Sequence, residues 1–465
     1  MKDIVLTTIN AKWIHPSLSL RLLKANLGAL EDSCEIIEFA LRQPLAEKLE
    51  PFTASRPKIL GVSVSIWNHL ATIELLKELE NVWAVKPVIV LGGPEVSHLS
   101  EDAEIFQFAD HVVRGEGEIA FRTLCENILG RPHTEANRTV GSRHGGRQEE
   151  GEIKSAYHLY TVEDVSKKLI YVESSRGCPF KCEFCLSSVT ENKVREFPLD
   201  KFLADMDILI QRGVKTFKFL DRSFNTNIQR ALKIIEFFLK KIEQKNSFVI
   251  HFEMVPSIFP PELIGALSRF PPGTLRLEIG IQTLNPEAAK RISRSSNPEK
   301  ELEALRLLRA KTSAIIHADL IAGLPGEDIA SFGKSFDRLW AALNNGGSHS
   351  FEIQLGVLKL LPGTPIARRI EEFGMRFNPF PPYEIEESAA VCANDMRRIK
   401  NFARFWELLI NRGLVNIKKS GPVFNNFINL SDELFKYFGK NYGIERRELI
   451  EKALKSANMD ILLNK

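Results

Sequence analysis

The stretch Glu173-Ser174-Ser175-Arg176-Gly177-Cys178-Pro179-Phe180-Lys181-Cys182-Glu183-Phe184-Cys185 decides how the rest of the chain is read. It follows Ile170 to Ser174, an apolar run that predicts a strand, so the three thiols fall at that strand's carboxyl end. Barrel enzymes keep their chemistry at this rim. Thiolates are the usual ligands of iron–sulfur clusters, and three at these spacings reach three irons of a cubane. The fourth iron then lacks a protein ligand nearby, and an open metal position is what a catalytic site needs. The competing reading is a zinc knot, which wants a fourth Cys or His close by. Downstream, none follows before His251.

Outward from this stretch the chain alternates. Toward the carboxyl terminus, strands are predicted over Thr216 to Leu220, Phe248 to Glu253, Leu275 to Gln282, Ala314 to Ile321 and Phe351 to Leu358. Helical patterns such as Asp200 to Arg212 and Gln229 to Gln244 lie between them. With Ile170 to Ser174 this gives six strand–helix units, the beat of a partial (β/α)6 barrel. The Pro-rich Pro379 to Pro382 marks a boundary, and the tail from Ile385 reads as mostly helical. Its Met396, Ile399, Phe402, Trp406, Leu409 and Ile410 share one face at helical spacing, the pattern of a helix packed on the barrel.

Toward the amino terminus, strands are predicted at Ile4 to Thr8, Cys34 to Phe39, Ile59 to Ser65, Val88 to Leu91 and Ala109 to Arg114, with helices over Leu18 to Leu30 and Leu70 to Leu79. This alternation argues for an α/β doubly wound parallel sheet, whose ligands bind outside the carboxyl ends of the strands. Three segments occupy such ends: Gly61 to Asn68, Val90 to Ser97 and Asp110 to Glu118. Their glycines allow a close approach to backbone, and their serines offer hydrogen bonds to a polar rim. The division expected is 1–130 for this domain, 131–167 for a linker of Gly, Arg, Glu, His and Thr, 168–378 for the barrel and 379–465 for the tail.

Bulk properties narrow the classes. The 465 residues are too many for one ordinary core, and a net charge of +3 gives no footing for nucleic acid or an anionic membrane. No apolar run approaches the roughly 18 residues that span a bilayer. The chain starts directly in a strand with no signal-peptide layout, so a cytoplasmic address is expected. Cys34, Cys125 and Cys392 are scattered, too few with the other three for a disulfide scaffold.

Cys-x3-Cys-x2-Cys with Phe184 before the last cysteine resembles the signature of radical S-adenosylmethionine (SAM) enzymes. The resemblance implies that Cys178, Cys182 and Cys185 hold a [4Fe-4S] cluster whose open iron is chelated by the amino and carboxylate groups of SAM. An electron from the cluster would break the sulfonium carbon–sulfur bond to give methionine and a 5'-deoxyadenosyl radical. Around Asp221, in Phe219 to Asn225, relatives hold the methionyl amine with backbone groups. Glu253, Glu278, Gln282 and Asp319, the last in a strand leading to Gly323-Leu324-Pro325-Gly326, match positions contacting the ribose and adenine. A carboxylate accepts both ribose hydroxyls, so Glu253 or Glu278 fits; either can instead pair with a barrel Arg.

Upstream of such a barrel, the first domain resembles the cobalamin-binding domain of cobalamin-dependent radical SAM proteins, which makes Ser63, Ser65, Trp67, Gly92, Gly93, Ser97, Glu116 and Gly117 candidate cobalamin contacts. The tail resembles an uncharacterised C-terminal domain of one branch of that family. One departure stands out. Many cobalamin domains place Asp-x-His-x-x-Gly after the first strand, where the His ligates cobalt from below. Here that stretch reads Asn10-Ala11-Lys12-Trp13-Ile14-His15-Pro16-Ser17, without the Asp and with the His shifted, so a capping or substrate role for His15 is favoured.

The resemblance implies methyl transfer to an unactivated carbon or phosphorus of a small-molecule or peptide substrate, with an electron donor such as flavodoxin or ferredoxin. The alternative is a radical rearrangement or cyclisation without methyl transfer, with a redox or degenerate cobalamin domain. Methylthiotransferases acting on tRNA need three further cysteines in the first domain, and only Cys34 and Cys125 lie there.

Overall fold

The computed structural model describes residues 2–53, 56–130, 153–189, 193–344, 351–417, 421–456 and 461–463. Two compact units are present: residues 1–172 with 204–217, and residues 173–203 with 218–465.

In the first unit, β1 (Ile4–Asn10), α1 (Leu18–Ala25), β2 (Cys34–Ala40), α2 (Leu45–Thr53), β3 (Ile59–Ser63), α3 (His69–Val82), β4 (Val88–Gly92), β5 (His111–Val113) and α4 (Glu118–Ile128) follow in order. The strands form an all-parallel sheet ordered β2-β1-β3-β4-β5. Alternate side chains feed two cores. Val5, Ile9, Leu60, Val62 and Leu91 pack with Phe52, Ile73, Leu76 and Leu79 on one face. Ile4, Leu6, Ile59 and Val90 pack with Leu20, Phe121 and Cys125 on the other. Both faces are therefore sealed, and the carboxyl-end edge is left for a ligand.

The helix expected over Leu18 to Leu30 stops at Ala25. The Asn26 side chain donates to the Leu22 carbonyl at 2.8 Å, and Gly28 takes φ +59°, so the chain turns into a 3-10 turn over Gly28–Ser33. The strand expected over Ala109 to Arg114 shortens to three residues, since Asp110 spends its carboxylate on the Ile89 amide at 2.8 Å.

The expected linker, 131–167, needs correction. Its residues 131–152 lie outside the described residues, but Ala156, Tyr157, Tyr160 and Val165 are buried. Thr161 and Asp164 form a capping box on α5 (Val162–Lys167). Asp164 also meets Arg21 of α1 at 2.7 Å, and Arg21 reaches Glu38 at 2.8 Å while its guanidinium lies 4.8 Å from the Tyr160 ring centre. A buried guanidinium requires such pairing. The segment looked like a connector because its few large side chains are too widely spaced to show a period.

The barrel series begins at β6 (Ile170–Val172), followed by an antiparallel pair β7 (Ser175–Arg176) and β8 (Arg195–Glu196). Then come α6 (Leu199–Gln211), β9 (Thr216–Phe219), α7 (Ile228–Glu243), β10 (Val249–Met254), α8 (Pro261–Leu267), β11 (Leu275–Gln282), α9 (Pro286–Arg291), α10 (Pro298–Lys311), β12 (Ile315–Ala322), α11 (Ile329–Leu343) and β13 (Phe351–Val357). Six strands share one sheet in the order β13-β12-β11-β10-β9-β6, and β10 to β13 run parallel. On β11 Leu275, Leu277, Ile279 and Ile281 are fully buried, while Arg276, Glu278, Gly280 and Gln282 take the opposite face. β10 and β12 repeat this, with His251 and Glu253, then His317 and Asp319, on that polar face.

The tail is helical as expected, with additions. β14 (Arg376–Phe377) pairs with β15 (Ile385–Glu387), then α12 (Ala393–Trp406) leads through a π turn into β16 (Val415–Ile417), α13 (Phe424–Phe438), α14 (Arg446–Ser456) and β17 (Ile461–Leu463), which pairs with β16. Phe402 and Trp406 pack edge-on to Phe336 of α11 at 5.1 and 4.7 Å, so the apolar face of α12 is core.

At the turn after β4, Gly93 holds φ +104°, and a Cβ there would lie 2.5 Å from the Val64 carbonyl oxygen. We expect Gly93→Ala to cost about 3 kcal/mol, from left-handed strain plus the clash. The shift of the urea midpoint measures it.

Candidate functional site

The cysteine loop is held from both sides. At its start, the buried Asp221 at the end of β9 accepts from the Ser174 amide at 2.9 Å, the Ser174 hydroxyl at 2.6 Å and the Ser175 hydroxyl at 2.7 Å. Arg230 of α7 donates to the Ser174 carbonyl at 2.9 Å. Gly177, at φ +105°, has the Lys193 carbonyl oxygen 2.3 Å from where a Cβ would sit, so only glycine fits. The Asp221 side chain is thus fully committed to the loop's backbone and serines. The side chain acts as a brace, and the expectation that backbone groups around it contact the cofactor concerns other atoms.

Cys178 and Cys185 are half-buried and Cys182 is buried. Burial raises the thiols of Cys178 and Cys182. Among the described residues no three His, Cys, Asp or Glu side chains converge on a single ion. Zinc would need all its thiolates about 2.3 Å from one centre. Three thiols on one loop, with no Cys or His following before His251, are instead the donor set a cubane takes. Its fit shows in Arg294, which the sequence did not single out. Nη1 lies 4.0 Å from Cys182 Sγ, Nη2 donates to the Gly280 carbonyl at 2.5 Å, and Nε is buried without a partner. Its charge acts on buried Glu301 as well as on Cys182, and cluster thiolates would add to that pairing.

The polar face of the sheet carries ionisable groups where barrel interiors are more often Val, Ile and Leu. Glu278 lies 3.2 Å from Lys218 and 3.1 Å from His251 Nε2, and the His251 bond with the Lys218 charge holds its carboxyl down to about 2. Glu278 is thus paired through one carboxylate oxygen, with its side chain 27% exposed. Glu253 meets Arg222 more loosely, at 3.3 Å, and burial raises its carboxyl. Both barrel carboxylates have basic partners: Arg222 meets both oxygens of Glu253, whereas Lys218 and His251 meet the same oxygen of Glu278. Burial, then the carboxylates of Glu278 and Glu253, push Asp319 well above the usual carboxylate range. A neutral Asp319 is a hydrogen-bond donor. Gln282 sits at φ +68° in a bulge against Leu320, and its amide occupies the space that a Gly280 side chain would need. Burial, then neighbouring His251, lower His317 to about 4, and its Nδ1 lies 2.8 Å from the Gln354 amide.

At the carboxyl-end edge of the first unit, Asn68 is fully buried and ties the Ser65 amide to the Ile9 and Ser63 carbonyls. This fixes the Ser63–Ser65 turn and presents Trp67, whose indole donates to Ile9 at 3.3 Å. The Ser97 hydroxyl donates to the Gly93 carbonyl at 2.8 Å and accepts from the Gly115 amide at 3.1 Å, drawing together the turn that begins at Gly92 and the one that carries Glu116 and Gly117. Trp13, Ile14, Leu41 and Trp67 on the loops after β1, β2 and β3, and Leu70 in the first turn of α3, are exposed. A rim of large apolar groups over small polar turns fits a broad ring with an apolar body and polar edge. His15 is engaged elsewhere, with Nδ1 2.8 Å from the Tyr171 hydroxyl.

The radical SAM superfamily model matches residues 172–339, and the B12 binding domain model matches residues 4–125. The chain carries a radical SAM domain and a B12-binding domain. Similar to it is a ribosomal protein uS12 methylthiotransferase, RimO, of Nitratiruptor sp., 26% identical over 40% of this chain and 46% of that protein. The cobalamin-dependent radical SAM methyltransferase TokK of Streptomyces tokunonensis is 23% identical over 70% of this chain and 50% of its own length. The chain thus spans about half the length of these curated relatives. Among solved structures, the apo cobalamin-dependent SAM radical enzyme OxsB shares the fold at TM-score 0.66 and 18% identity, over 97% of this chain and 74% of that one. No helix among the described residues is long and apolar enough to cross a membrane.

Proposed function

We propose that this protein is a cobalamin-dependent radical SAM methyltransferase acting on an unactivated carbon or phosphorus of a small-molecule or peptide substrate. The observation that carries the reading is the joining, in one chain, of the Cys178–Cys182–Cys185 loop with an N-terminal sheet whose carboxyl-end rim is apolar. Cys178, Cys182 and Cys185 would hold a [4Fe-4S] cluster, and Glu253, Glu278, Gln282 and Asp319 would face SAM. Ser65, Trp67, Gly92, Gly93, Ser97, Glu116 and Gly117 would line a cobalamin site. When bound, the cluster and SAM supply a one-electron cleavage that yields a 5'-deoxyadenosyl radical, and cobalamin supplies the methyl group.

The chain's own residues then position and shield. Asp221 and Gly177 fix where the thiolates stand. Asp319, its carboxyl raised by burial and by the Glu278 and Glu253 carboxylates, would hydrogen-bond a ribose oxygen. A one-electron carrier such as flavodoxin or ferredoxin would reduce the cluster. The methylthiotransferase class is disfavoured, because Cys34 and Cys125, both buried in the N-terminal core, are the first domain's only thiols.

The test is anaerobic turnover of the loaded protein with SAM, a reductant and extracts from cells lacking the gene, using methyl-labelled methionine as the SAM source. Labelled product with both 5'-deoxyadenosine and S-adenosylhomocysteine is expected. 5'-Deoxyadenosine alone, with no label transferred, would replace this reading with radical rearrangement or cyclisation.

A further inference from the structure

Glu183 lies between the second and third cysteines, and every polar group it has is tied down. Its amide donates to the Ile292 carbonyl at 3.0 Å, and its carbonyl accepts from the Ile366 amide at 3.1 Å. Its carboxylate accepts from the Ser293 hydroxyl at 2.8 Å and from Arg369 Nη1 at 3.0 and 3.1 Å. Arg369 is itself oriented by the Arg291 carbonyl at 2.7 Å, by both oxygens of Glu372 at 2.7 and 2.8 Å, and by the Phe373 ring 4.4 Å away. Ile366 and Arg369 follow β13, beyond residue 339, where the radical SAM match ends.

We propose that Arg369, acting through Glu183, is a positioning residue that holds the Cys182–Cys185 turn in the shape a cluster requires. The proposal rests on the cluster assignment above. Two thiolates on one short turn must reach different irons, and a turn free to fray lets either thiolate leave. Surface ion pairs seldom matter, but this carboxylate is only 14% exposed and shared among three donor bonds. Charge-assisted bonds of this kind are the stronger class.

The experiment compares the full-length, cluster-loaded protein with Arg369→Gln, Glu183→Gln, the double variant and Arg369→Lys. Iron release to an anaerobic chelator, the paramagnetic resonance spectrum of the reduced cluster and the melting temperature without iron are measured. Each single Gln variant should release iron about tenfold faster, equivalent to about 1.4 kcal/mol, with a changed cluster spectrum. The double should be no faster than either single, because both remove the same contact. Lysine keeps the charge without the fork and should fall between. Unchanged release and spectrum, additive effects in the double, or a parallel drop in melting temperature would each overturn the proposal. If the unmutated protein takes up no iron, the cluster assignment itself fails. If it does and the variants match it, only the clasp fails.

Discussion

Replacing Cys178, Cys182 or Cys185 singly with alanine is expected to abolish 5'-deoxyadenosine formation and to leave the anaerobically reconstituted protein without an intact four-iron cluster. Each thiolate is one of three protein ligands, and its loss frees an iron and removes the electron-transfer competence of the cluster. Alanine at Cys34, Cys125 or Cys392 should leave both properties intact. Cys34 and Cys125 are packed in an apolar core, where burial pushes the Cys34 thiol up to about 12 and that of Cys125 higher still. Such thiols are poor metal ligands and act as small apolar side chains. Iron per protein and chromatographic assay of 5'-deoxyadenosine check the series. A loss of half the iron in Cys125→Ala would reveal a second cluster and refute the account of the N-terminal sheet.

The second large effect concerns cobalt. We expect the N-terminal unit to bind cobalamin with no histidine beneath the metal. The Asp-x-His-x-x-Gly pattern is absent, His15 is bonded to Tyr171, and the rim near it presents Trp13 and Trp67. Nitrogen coordination splits the paramagnetic resonance lines of Co(II), so the bound Co(II) form should show no such splitting from a protein imidazole. Splitting that vanishes in His15→Ala would overturn the expectation. Failure to retain cobalamin at all would point to a degenerate domain and to radical chemistry without methyl transfer.

The two sheets were legible because their strands carry strong local signals. Runs such as Ile4 to Ile9 are apolar enough for strands buried on both faces, and Leu275 to Gln282 alternates as a sheet with one apolar face must. The cysteine loop was legible as three ligands at fixed spacing. What held that loop was not legible, because pairing is decided by the fold. Asp221 meets Ser174 across 47 residues, and Arg369 meets Glu183 across 186. Glu278 illustrates the same limit. Its position on the strand allows a ribose contact, and only the neighbouring strands, by supplying Lys218 and His251, showed one carboxylate oxygen already paired.

The Arg21–Asp164 pair bears on where the N-terminal module ends. The region shared with other B12-binding domains closes at residue 125, yet the piece that folds as a body continues past it, because Arg21 finds its second acid only at position 164. A fragment ending near residue 130 would contain every strand of its sheet and keep the Arg21–Glu38 pair, but would lose Asp164 and the Tyr160 ring that cover the guanidinium. Homology and autonomy thus draw different borders here. The stretch after the match belongs to the same compact unit as the matched strands.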